Sequence, residues 1–122
     1  MRQEYPARLL RIHILESHRF EGKPLYEAIV AKCRELKIAG ATVLRGLEGY
    51  GESAEMHRAH MARRDQPILI TVVDTAEKIL VAAEAVEEMI EDGLIVISDV
   101  DMVRMVRSHS ATEAPDAAGI PG

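Results

Sequence analysis

Pro67-Ile-Leu-Ile-Thr-Val-Val-Asp74 is the most strand-like run of the chain, with β-branched side chains at Ile68, Ile70, Thr71, Val72 and Val73. Helix-start chemistry follows it at once. Asp74 and Thr75 offer an N-cap, and Glu77 stands three residues after Asp74 as in a capping box. Ile79, Ala83, Val86 and Ile90 then recur at helical spacing, while Glu84, Glu87, Glu88 and Glu91 fall towards water. Gly93 ends this helix, and Leu94 to Ile97 with Val100 to Val106 supply a bent strand.

The same pattern stands upstream. In Leu9 to Glu16, Leu10, Ile12 and Ile14 alternate with Arg11 and His13 in the period of a strand. After a polar turn over Ser17 to Lys23, Pro24 sits where a helix takes its first residue, and Leu25, Ile29, Cys33 and Leu36 follow on one stripe. Gly40 is the expected stop, and Ala41 to Leu47 begins a further strand. The order is β-α-β-β-α-β, which predicts an α+β, ferredoxin-like sandwich. Right-handed crossovers place both helices on one face of a four-stranded antiparallel sheet. Residues 1–8, polar and containing Pro6, read as a loose lead-in; 9–107 form the domain; 108–122, rich in Ala, Pro, Gly and Ser, read as a disordered tail.

A sheet covered on one side should be polar on the other. The run at 67–74 is instead apolar on both faces, and Met102, Val103, Met105 and Val106 add to it, so the sheet is expected to bury its second face in an oligomer. His13, alternating with core residues, belongs at that interface.

Composition narrows the function. The 122 residues, 48% of them hydrophobic and 29% charged, suit one domain, and a net charge of -5 lacks the basic face that nucleic acid or an anionic membrane requires. An RNA platform on this fold order needs aromatics on the first and third strands. Those strands offer Ile12, His13, Ile14 and Ile70, Thr71, Val72, so no nucleic-acid partner is expected. Cys33 is the one cysteine, which excludes an internal disulfide and a cysteine-cluster zinc site. Its place on the helix stripe makes it a core residue, and a cytoplasmic, reducing location is expected. The apolar runs fall short of the roughly 20 residues a membrane helix needs.

Two constellations carry chemistry. Arg45-Gly-Leu-Glu-Gly-Tyr-Gly51 leaves a strand with glycines that let backbone N–H groups converge on an anion, beside the charge of Arg45. A strand end needing positive φ also accounts for such glycines. The polar stretch Glu52 to Gln66 contains His57, His60, Arg58, Arg63 and Arg64, and a loop that long is expected to be functional. His57 and His60, three apart, open a metal-binding alternative, with no third or fourth ligand evident. No nucleophile and base pair up, so the chain is read as a non-enzyme with no catalytic residue.

The blocks Glu21-Gly-Lys-Pro-Leu-Tyr-Glu-Ala-Ile-Val30, Ala39-Gly-Ala-Thr-Val-Leu-Arg-Gly46, Gly49-Tyr-Gly51 with His57, Val73-Asp74 and Glu87-Glu-Met-Ile-Glu-Asp-Gly-Leu94 resemble domain-of-unknown-function family 190, within the PII-like superfamily, over about residues 9 to 106. The resemblance implies a homotrimer with sheets facing the centre and ligand clefts between subunits. It implies an adenine nucleotide or similar anion as ligand, and signalling through the loop after the second strand, here 52–66, with Gly49-Tyr50-Gly51 at its entrance. Ion transport, with a membrane transporter as partner, is the regulated process it suggests. One departure matters. PII proteins carry a Gly- and Lys-rich phosphate loop before the last strand, and this chain has only Glu91-Asp-Gly-Leu94. Phosphate contacts are therefore assigned to Arg45, the glycine turn and Arg104 or Arg107 at the end of the last strand, and the ligand-binding set is Arg45, Gly46, Gly49, Tyr50, Gly51, His57 and Arg104. The alternative is a divalent-metal-binding trimer resembling cation-tolerance proteins, using His57 and His60.

Overall fold

A computed structural model describes residues 2–46 and 65–106. Its elements are β1 (Arg2–Leu15), β2 (Arg19–Phe20), β3 (Lys23–Pro24), α1 (Leu25–Glu35), β4 (Ala41–Arg45), β5 (Pro67–Asp74), α2 (Ala76–Glu87) and β6 (Leu94–Met105). Apart from the small β2–β3 hairpin, this is the expected βαββαβ order. The four long strands form one sheet in the order β4-β5-β1-β6, with every neighbouring pair antiparallel.

One face of that sheet is closed by the helices. The register Leu10↔Val72, Ile12↔Ile70 and Ile14↔Ile68 sets six aliphatic side chains on the same side. Leu25, Ile29 and Cys33 of α1 and Ile79, Ala82, Ala83 and Val86 of α2 pack onto them in a single core. Each large side chain buried in this way is worth about 1.5–3 kcal/mol. Ile38 and Met89 join the core from just beyond the helix ends.

The helix ends differ from the spacing-based expectation, and α2 stops at Glu87, before Gly93. The capping box at Asp74 and Glu77 does not form. Thr75 is the N-cap and its hydroxyl accepts from the Lys78 N–H at 3.3 Å. Asp74 instead accepts from the Thr75 N–H at 2.7 Å and from the Ala39 N–H at 3.0 Å, which ties the end of β5 to the chain leaving α1. Pro24 stands one place earlier than expected, as the N-cap of α1. That helix stops at Glu35, well before Gly40. Lys37 takes a left-handed φ of 62°, its N–H donates to the Arg34 carbonyl, and the Ile38 N–H donates to the Cys33 carbonyl, both at 3.0 Å. This is a Schellman closure with lysine where glycine is usual. The left-handed lysine costs about 1–2 kcal/mol, offset by the return of Ile38 to the core. Lys78 Nζ also donates to the Leu36 and Lys37 carbonyls at 3.4 and 3.1 Å.

Residues 2–8 are strand, not a loose lead-in. β1 pairs with β5 only from Arg8 to Leu15, but with β6 from Arg2 to His13. The N-terminal part of β1 and the C-terminal part of β6 therefore run on as a two-stranded ribbon beyond the edge of β5. Pro6 is tolerated because one edge of β1 has no strand partner there. Arg8 and Asp99 pair at 2.9 Å at the base of the ribbon. The expected tail, 108–122, lies outside the described residues.

The face away from the helices carries the expected apolar side chains on β5 and β6, with Arg11 and His13 of β1 among them. Cross-strand pairing lines up Leu44, Leu69, His13 and Leu94 in one row and Thr42, Thr71, Arg11 and Val96 in the next. Its edges are apolar and exposed, Leu44 and Leu94 each at 54%, while its middle strand presents Arg11 and His13 to solvent.

Candidate functional site

The chain leaves the sheet at Arg45–Gly46 and returns at Asp65–Pro67, and these two stems are joined directly. The Gly46 N–H donates to the Pro67 carbonyl at 2.7 Å. A Cβ on Gly46 would lie 2.9 Å from Pro67 Cγ. Among the described glycines only Gly22 has a positive φ, so close approach to Pro67, not backbone conformation, is what requires glycine at 46.

The turn after β1 grips both stems. On the returning side, the Ser17 N–H and hydroxyl donate to the two carboxylate oxygens of Asp65 at 2.9 and 2.5 Å, and the Glu16 N–H donates to the Gln66 carbonyl at 2.9 Å. Asp65 is 7% exposed, and its burial is tolerable because the carboxylate is hydrogen-bonded. On the departing side, Arg45 Nη2 donates to Glu16 Oε2 at 2.7 Å.

Beside these stems lies a cleft of about 360 Å³ lined by His13, Leu44, Arg45, Gly46, Pro67, Ile68 and Leu69. Its walls are largely aliphatic, with Arg45 and His13 as the charged or titratable groups. That chemistry and size suit a small molecule with an apolar body and an anionic end.

The residues assigned from the sequence are only partly brought together. Arg45 and Gly46 line the cleft. Gly49, Tyr50, Gly51 and His57 lie outside the described residues, as do Arg58, His60, Arg63, Arg64 and Arg107. Arg104 is half-buried in the ribbon, opposite Gln3, whereas the stems lie beside Ile14. About 35 Å of strand separates those two positions at ordinary strand rise. At that spacing the register does not bring Arg104 and Arg45 together within one chain. Glu16, Ser17 and Asp65 were not anticipated: they carry no spacing signal, and Glu16 is ordinary as the last residue of an alternating strand.

Other candidates resolve simply. Cys33 is buried, and burial pushes its thiol up, away from the reactive thiolate. Among the described residues no group of three His, Cys, Asp or Glu side chains could hold a metal ion. No described helix is long and apolar enough to cross a membrane.

Known proteins share both sequence and fold with this chain. The family model described as DUF190, "Uncharacterized ACR, COG1993", matches residues 7–102. A UPF0166 protein of Aquifex aeolicus is 35% identical over 98 residues, covering 79% of this chain and 92% of that protein. The apo form of CPII from Thiomonas intermedia K12, a nitrogen regulatory PII-like protein, superposes with a TM-score of 0.62 at 18% identity, over 86% of this chain and 100% of that one. CPII bound to ADP, AMP and acetate superposes with a TM-score of 0.60 at 20% identity, over 82% and 91%. The family match spans most of the sheet and both helices, and the solved structures repeat the same architecture: the chain belongs to the DUF190 family and has a PII-like, ferredoxin-like fold.

Proposed function

We propose that the chain is a non-enzymatic PII-like signalling protein that binds an adenine nucleotide in clefts between the subunits of a homotrimer. The observation that carries this reading is the cleft at the loop stems, where aliphatic walls suit a base and Arg45 suits a phosphate. CPII, bound in one structure to ADP, AMP and acetate, supports the ligand class. In this reading Arg104, far along the strands from Arg45 within one chain, reaches the ligand from a neighbouring subunit. The exposed apolar edges of the open sheet face supply a surface for that assembly. In this reading 52–66 is the signalling segment, Gly49, Tyr50, Gly51 and His57 complete the anion site, and the protein acts in the cytoplasm on an ion-transport partner in the membrane. The metal-binding alternative rests on His57 and His60 alone, and no described residue adds to it.

Calorimetric titration with AMP, ADP and ATP tests the reading. Wild type is expected to bind at least one of them, and Arg45→Ala to weaken that binding roughly ten- to a hundredfold, the loss of one charge-assisted hydrogen bond. Light scattering should return about three times the 13.5 kDa chain mass. A monomer that binds no nucleotide would rule the reading out.

A further inference from the structure

Arg45 is already occupied. Its Nη2 donates to Glu16 Oε2 at 2.7 Å, while the same side chain lines the cleft. Both partners are partly exposed, Arg45 at 49% and Glu16 at 35%. Glu16 is also held in place: its N–H is tied to Gln66, and its neighbour Ser17 is tied to Asp65. Its carboxylate therefore faces the guanidinium at the high effective concentration of an intramolecular partner.

Building on the anion-binding reading of the cleft, on which the idea rests, we infer that Glu16 is the resident counter-ion of Arg45 and that a nucleotide binds by displacing it. Glu16 then sets the affinity of the site without touching the ligand. It is a positioning residue that holds Arg45 in a closed pair until a phosphate takes over the guanidinium. Apparent affinity equals intrinsic affinity multiplied by the fraction of molecules in which the pair is open. A half-exposed ion pair is weak, so removing it raises apparent affinity only roughly two- to sixfold.

The displacement has a signature of its own. Opening the pair matters only while the guanidinium is there to be released, so the gain on removing the carboxylate depends on Arg45. A carboxylate acting only as a nearby negative charge behaves otherwise, because its Coulomb repulsion of the ligand persists without Arg45.

The experiment titrates AMP and ADP into wild type, Glu16→Gln, Arg45→Ala and the double variant of the two by calorimetry, with a thermal melt of each. Glutamine keeps the shape of Glu16, and the Ser17–Asp65 and Glu16–Gln66 links do not involve its carboxylate, so the fold should persist. The expected result is tighter binding of both nucleotides to Glu16→Gln, weakened binding to Arg45→Ala, and no gain from Glu16→Gln once Arg45 is alanine. Unchanged or weaker binding to Glu16→Gln, with wild type binding and Arg45→Ala impaired, overturns the counter-ion role and leaves the nucleotide reading standing. A gain from Glu16→Gln that persists undiminished when Arg45 is already alanine also overturns it, in favour of simple repulsion. Absence of binding in all four proteins removes the nucleotide reading and the counter-ion role together.

Discussion

The two faces of the sheet share four strands and one hydrogen-bond ladder, yet differ in nearly every other respect. On the helix side Leu10, Ile12, Ile14, Ile68, Ile70 and Val72 are each 4% exposed or less. On the other side their chain neighbours Arg11 and His13 face solvent, and Leu69, Thr71 and Val73 are half-buried. Strand alternation assigns one residue in two to each face, so a single sequence can specify a packed core and an assembly or binding surface with little interference. The cleft at the loop stems lies where the two faces meet, drawing Leu44, Leu69 and His13 from the open side and Arg45 and Ile68 from the covered one.

The hardest test of that contrast is a pair of alanines at adjacent positions. Ile12→Ala should cost about 2–5 kcal/mol in urea unfolding, because it leaves a cavity under both helices. His13→Ala should cost no more than about 0.5 kcal/mol within the single chain, as exposed substitutions do. Equal costs would break the comparison, and a His13 cost that depends on protein concentration would show a second copy on the open face. Next in size is Gly93→Ala. A Cβ there would lie 2.9 Å from the His13 carbonyl oxygen and 3.1 Å from methyl groups of Ile14 and Ile90, so a loss of about 1–3 kcal/mol is expected. No loss would mean that the covered side has slack. The smallest effect runs the other way. Lys37→Gly should raise stability by about 1 kcal/mol by relieving the left-handed lysine that returns Ile38 to the core, and a thermal melt with no upward shift would contradict that strain.

The covered face was legible in the sequence because burial leaves a period. Leu10, Ile12 and Ile14 alternate, and Ile79, Ala83 and Val86 recur as a helix requires, so element order and core followed directly. The ribbon was not legible. Arg2 to Ala7 pair on one edge only, and a strand largely open to solvent needs no alternation, so its polar residues and Pro6 imitate a loose terminus. The open face is legible in part. Residue type shows the apolar side chains of 67–74 and of the last strand, whereas the register is needed to set Arg11 and His13 between them. In the site, Arg45 and Gly46 stood out by residue type, whereas Glu16, Ser17 and Asp65 act through contacts between distant parts of the chain that no local pattern records.

The link between Gly46 and Pro67 has a consequence for how this chain can change over generations. The excursion between the stems starts and ends at one hydrogen bond, and the core strands already hold those ends together. Closure entropy therefore enters folding only through the logarithm of the excursion's length: even for a freely flexible connection, doubling it adds about 0.6 kcal/mol. By this measure the length of the connection between residues 46 and 65 can change over generations at little entropic cost, because closure is set by the stems and not by what lies between them.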